Sequence, residues 1–96
     1  MKPNASVSLQ VLPQKSGIDI GIIDEVIKLI QNSNVKYVVG PFETTMEGDL
    51  DTLLDIVKKA QKLCIEKGAE SVLSFVKIAY SKDGVLTIEE KTSKYN

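Results

Sequence analysis

The sequence contains no histidine and a single cysteine, Cys64. The first absence removes the commonest general base at neutral pH and the commonest zinc ligand. The second removes any disulfide within the chain and any thiolate metal site. Carboxylates, lysines, hydroxyls and three tyrosines are what remains for chemistry, a set better suited to holding a polar ligand than to turning one over. The expectation is a binder without catalytic residues, metal or cofactor, not an enzyme. An excess of charge of one sign is also lacking: 12 basic and 13 acidic residues leave a net charge of −1. There is no field to gather a nucleic-acid backbone or an anionic membrane. No apolar run approaches a membrane span, and the opening stretch MKPNASVSLQ lacks the apolar core of a secretory signal. A soluble, cytoplasmic protein is therefore expected.

The 96 residues are enough for one domain, 1–96, and leave little room for a second core. A chain of this size buries only about two thirds of the surface that its unfolded form exposes. A second copy that covers more apolar surface would help, so a homo-oligomer is expected.

Apolar and polar residues alternate from Ala5 to Leu12, the period of a two-faced strand, and Pro13 reads as its end. Ile18, Ile22, Ile23, Val26, Ile27 and Ile30 then recur at helical spacing. Asp19 stands as cap or first-turn acid, and Asn32-Ser33-Asn34 as the stop. Val35 to Val39 is a short β-branched and aromatic strand broken by Gly40-Pro41, and Thr44 to Met46 a third strand. Gly48-Asp49 opens a second helix with Leu50, Leu53, Leu54, Val57, Ala60 and Cys64 on one stripe and Gly68 as its stop. Ser71 to Tyr80 is the longest strand; Lys82-Asp83-Gly84 is a turn, and Val85 to Ile88 is a candidate extra C-terminal strand.

Strand–helix–strand thus occurs twice, which predicts an α+β fold of ferredoxin-like βαββαβ order, an antiparallel sheet with both helices on one face. The last long strand is apolar on both parities, so its second face needs a cover, most simply another subunit. Cys64 reads as a small buried hydrophobe on its helix stripe. Lys77, which interrupts an apolar strand face, reads as a partner for an acid at an interface.

Polar chemistry concentrates in Gly40-Pro41-Phe42-Glu43-Thr44-Thr45-Met46-Glu47-Gly48-Asp49. Hydroxyls, carboxylates and an aromatic gathered around a turn and a helix start suit a pocket. Turn chemistry offers a plainer reading, with Pro41 and Gly48 as turn residues, Asp49 as a cap and the threonines as strand formers.

The string GPFETTMEGDLDTLLDIVKKAQ, the opening SVSLQVLP and the late strand SVLSFVKIAYSKDG together resemble the small thiamine-binding protein family over nearly the whole chain. Glu43-Thr44-Thr45-Met46-Glu47-Gly48 carries the most specific part of the resemblance. It implies the ferredoxin-like fold, dimers or dimers of dimers formed through the sheets, and binding of thiamine or its hydroxymethyl pyrimidine moiety. Under that resemblance Thr44, Thr45 and a carboxylate, Glu47 first and Glu43 second, would meet the aminopyrimidine. A carboxylate or the aromatic faces of Phe42 and Tyr37 would steady the thiazolium cation. Ser8 and Gln10, on the polar parity of the first strand, are the next suspects, with an interface hydrogen bond as their other reading. Many members carry an arginine after the long strand where this chain has Ser81-Lys82-Asp83, which puts any anion contact made there in doubt. A ligand-free regulatory or protein-interaction module of the same fold is the alternative function.

Overall fold

The computed structural model describes residues 2–95. Among these, four strands and three helices follow in the order β1 (Ala5–Gln14), α1 (Ile20–Gln31), β2 (Lys36–Val39), β3 (Thr44–Gly48), α2 (Leu50–Glu66), β4 (Ser71–Tyr80) and α3 (Ile88–Thr92). The strands form one sheet in the order β2-β3-β1-β4, every neighbouring pair antiparallel. This is the ferredoxin-like arrangement, with β1 and β3 at the centre.

The alternation in β1 sets the layers. Ala5, Val7, Leu9 and Val11 are all buried at 6% exposure or less, on the face that meets Ile22, Val26 and Ile30 of α1 and Leu53, Ile56, Ala60 and Cys64 of α2. Burying each large aliphatic side chain contributes about 1.5–3 kcal/mol. A slip of one residue would turn all of them to the opposite face, so pattern and register enforce one another. On α2 the core stripe runs through Ile56, whereas Leu54 points outward. Ile18 lies before α1 and bridges to Gln14 instead of joining the helical stripe.

Caps fix the helix ends. The Asp19 carboxylate accepts the Ile22 N–H at 3.0 Å, and Asp49 accepts the Thr52 N–H at 3.3 Å. Asn4 adds a second tie to α2, its side-chain oxygen accepting the Leu50 N–H at 2.9 Å. Such caps are worth about 1 kcal/mol each. After α1 the chain turns at Asn34 with φ 60°, and after α2 at Gly68 with φ 107°, left-handed conformations that those two residue types tolerate.

Two further expectations are corrected. Pro13 does not end β1, which runs to Gln14 with Pro13 paired to Val72 of β4. The Pro13 carbonyl accepts the Asp19 N–H on the opposite side, where β3 has already ended, so the missing proline N–H faces a position with no ladder to break. The candidate C-terminal strand is not formed: Val85 and Leu86 lie in a loop and Ile88 begins α3. A reciprocal capping box drives that outcome, with Thr87 Oγ1 accepting the Glu90 N–H and Glu90 Oε1 accepting the Thr87 N–H, each at 3.0 Å. These bonds to Thr87 hold the Glu90 carboxyl below its ordinary pKa of 4.5.

Cys64 is fully buried, and burial pushes its thiol pKa up. The thiol stays protonated at neutral pH, and only the thiolate is nucleophilic. A thiol-reactive dye is therefore expected to label Cys64 only as fast as the protein unfolds. Rapid labelling of the native protein in the absence of denaturant would contradict this packing.

Candidate functional site

Because both long helices lie on the Val7 face, the other parity of each strand emerges on the opposite face. Cross-strand partners point the same way, so the register lays out rows of side chains. One row is Val38, Thr45, Ser8 and Lys77, running from β2 to β4. The next is Lys36, Glu47, Ser6 and Ala79. Over these rows sits α3, returned to the sheet by a loop in which the Val85 N–H bonds the Pro3 carbonyl at 2.9 Å.

Between the sheet and α3 lies a cavity of about 400 Å³. Its floor is Ser6, Ser8, Val38, Thr45 and Ala79, its flanks are Glu43 and Lys77, and its outer wall is Ile88, Lys91 and Thr92 of α3. The volume falls within the usual range for small-molecule pockets, roughly 300–1,000 Å³. Glu43 and Lys77 form an ion pair at 3.8 Å. With the Lys77 side chain 79% exposed, that pair is solvent-screened and readily exchanged for other partners.

Ser8 Oγ is the one buried side-chain polar atom among the described residues that has no hydrogen-bond partner. Leaving a buried hydroxyl unsatisfied costs about 1–3 kcal/mol. Ser8 is one of the residues that line the cavity, so a ligand donor or acceptor that reached its hydroxyl would satisfy it.

A second cleft of about 340 Å³ lies where β3 stops and β1 continues with β4 as its one remaining partner, between Ile23 and Ile27 of α1 and the Gly40 to Phe42 turn. The Gly40 N–H bonds the Glu43 carbonyl at 2.8 Å. A Cβ on Gly40 would come within 2.9 Å of that same oxygen, so this tight turn needs glycine and thereby fixes where Glu43 leaves the backbone.

The sequence-derived site residues divide between these places. Ser8, Glu43 and Thr45 line the cavity beneath α3. Gln10, Phe42 and Thr44 border the second cleft, which Glu43 also touches; Phe42 is 80% exposed. Tyr37 pairs with the buried Met46 and packs against the helix-side core, on the far face from the cavity. Glu47 is on the cavity side of the sheet, but its carboxylate is occupied. Oε2 accepts the Ile88 N–H at 2.7 Å and Oε1 stands 3.8 Å from Lys36 Nζ. Lys77 faces Glu43 within the same chain. Ser6, Lys91 and Thr92 join the site only through strand register and the return of α3, so their positions in the sequence give no sign of it. Only the Thr87-x-x-Glu90 spacing could have announced the helix that carries the last two.

Replacing Ser8 with alanine tests the orphaned hydroxyl directly. Ser8→Ala is expected to leave the unliganded protein as stable as wild type or more stable by up to about 1 kcal/mol in urea unfolding. A loss above about 1 kcal/mol would mean that the hydroxyl is satisfied within the fold.

Comparison with known proteins converges on one family. A model of the thiamine-binding protein family matches residues 7–96. The UPF0045 protein CPE1503 of Clostridium perfringens is 53% identical over 91 residues, spanning 94% of this chain and 95% of its own. Among solved structures, a domain of unknown function (DUF77) from Bacillus cereus superposes with a TM-score of 0.88 at 44% identity, covering 96% of this chain and 89% of that one. A Thermotoga maritima protein (TM0486), assigned provisionally to thiamine biosynthesis or salvage, gives a TM-score of 0.84 at 36% identity over 96% of this chain and 98% of its own. No helix among the described residues is long and apolar enough to cross a membrane. With the family model covering almost the whole chain and the same fold recurring in these relatives, the chain belongs to the thiamine-binding protein family.

Proposed function

We propose that the chain binds thiamine, or its hydroxymethyl pyrimidine moiety, in the cavity between the open sheet face and α3, and that it acts in the cytoplasm as a carrier, buffer or sensor without catalysing a reaction. The observation that carries this reading is the orphaned Ser8 hydroxyl on the cavity floor. An aminopyrimidine ring offers both donors and acceptors at fixed angles, and Ser8 with Thr45 opposite it across β1 and β3 supplies matching hydroxyls. Glu43 is the carboxylate placed to face the thiazolium cation, by giving up its loose contact with Lys77. Membership of the family and the Thermotoga relative's assignment support the choice of ligand.

The apolar surface of β4 supports self-association as part of the same proposal. Leu73, Phe75, Val76, Ile78 and Tyr80 are each 38–59% exposed on this edge strand. An uncovered apolar edge favours pairing with another strand, and a homodimer or dimer of dimers formed through the sheets would cover it. The same exposed strand favours the second reading, an interaction module that docks another protein and holds no ligand.

Calorimetric titration with thiamine and with the free hydroxymethyl pyrimidine separates the two. Saturable binding is expected, weakened about tenfold in Ser8→Ala, the equivalent of one hydrogen bond at about 1.4 kcal/mol. Neither heat nor a thermal shift at millimolar ligand would sink the thiamine reading, because a ligand at a hundred times its dissociation constant adds about 2.7 kcal/mol.

A further inference from the structure

The wall of the cavity made by α3 is held differently from the floor. With five residues, α3 is far too short to persist on its own and depends on its docking. Among the described residues two polar contacts reach it from the sheet, and both pass through one pair of side chains. Glu47 Oε2 accepts the Ile88 N–H at 2.7 Å. Lys36 Nζ lies 3.8 Å from Glu47 and 4.0 Å from Glu89 of α3. Glu47 is only 7% exposed, although it is ionisable. A buried carboxylate is costly unless paired, and its pairing here is with the element that covers it.

A helix held by so few contacts has two arrangements to consider, the docked one of this structure and one released from the sheet. With α3 docked, Glu47 exchanges water for the Ile88 N–H and keeps Lys36. With α3 released, Glu47 regains water and keeps Lys36. In the docked arrangement alone, Ile88, Lys91 and Thr92 face Ser8 across the cavity; without it the site is bare sheet. A ligand that touches both walls therefore binds the docked arrangement better, and by linkage its binding must favour docking by the same factor.

We infer that α3 is a lid on the ligand cavity and that Glu47 is its latch, a positioning residue that acts on the ligand through the backbone of Ile88 and does not touch it. The use of thiamine as the probe rests on the function proposed above; the latch itself rests on the Glu47–Ile88 contact.

The test combines amide hydrogen exchange with thiamine titration on the full chain, for wild type, Glu47→Ala and Glu47→Gln, with urea melts to track global stability. In wild type the Ile88 amide is expected to exchange slowly and to slow further when thiamine is added. Glu47→Ala is expected to speed exchange at Ile88 to Thr92 about tenfold and weaken thiamine about tenfold, inside the usual range for linked sites. Exchange at the Ser6 and Ser8 amides should stay as in wild type. Glu47→Gln keeps an oxygen that accepts the Ile88 N–H, so it is expected to restore most of both effects, which general loosening of the fold would not do. Thr87→Ala, which removes the capping box of α3 in the full chain, provides a second route and should also weaken thiamine. Thiamine affinity unchanged in both Glu47→Ala and Thr87→Ala would overturn the lid. Failure of the ligand reading looks different, because wild type then binds no thiamine at all. In that case slow Ile88 exchange that Glu47→Ala abolishes upholds the latch, and equal exchange in the two proteins overturns it.

Discussion

Two long helices can cover only one face of a four-stranded sheet, and that geometric limit shapes everything else in this molecule. The strict alternation of β1, one of the two strands with neighbours on both sides, decides which face is covered. Its apolar parity holds α1 and α2, and its polar parity, Ser6, Ser8 and Gln10, is left on the opposite side. A sheet face that the helices leave bare is either solvated, covered by another chain, or used. Here it is used in part. The short C-terminal helix returns over the β2 and β3 side, while the β4 edge keeps large apolar side chains exposed.

On the proposed function, the arrangement gives up some stability for a site. An unsatisfied serine hydroxyl on a central strand and a buried glutamate held by a five-residue helix are each costly in isolation. Both lie in adjacent rows of the same sheet face, next to one cavity. Their roles differ. Ser8 Oγ has no partner within the fold, whereas the Glu47 carboxylate already accepts the Ile88 N–H of the cavity wall. Glu43, set by the tight Gly40 turn, is the carboxylate left facing the cavity with an exchangeable partner.

Much of the fold was legible because it rests on local rules. The period of β1, the helical stripes, the caps Asp19 and Asp49 and the turn at Gly68 all act within a few residues, and the strand–helix–strand repeat then limits the topology. What was hidden depends on distant partners. That Ser8 stands between Thr45 and Lys77, or that Tyr37 follows Met46 to the helix side, is decided by register between strands far apart in sequence. The polar cluster from Glu43 to Glu47 read as one unit; the pleat turns Thr44 toward the helix side and Thr45 toward the cavity. Val85 to Ile88 has strand-like residues, and the capping box of Thr87 and Glu90 outweighs that propensity. Pro13 punctuates most strands, but not one whose neighbour has already ended on the proline side.

Mapping thiamine onto the backbone amides by heteronuclear NMR tests the central claim most directly, because it asks which face and which cleft hold the ligand. The account predicts saturable shifts clustered at Ser6, Ser8, Thr45, Lys77 and Thr92, residues joined only by the open sheet face and α3. Shifts confined to the Gly40 to Phe42 turn and to Ile23 and Ile27 of α1 would place the ligand in the other cleft and contradict it.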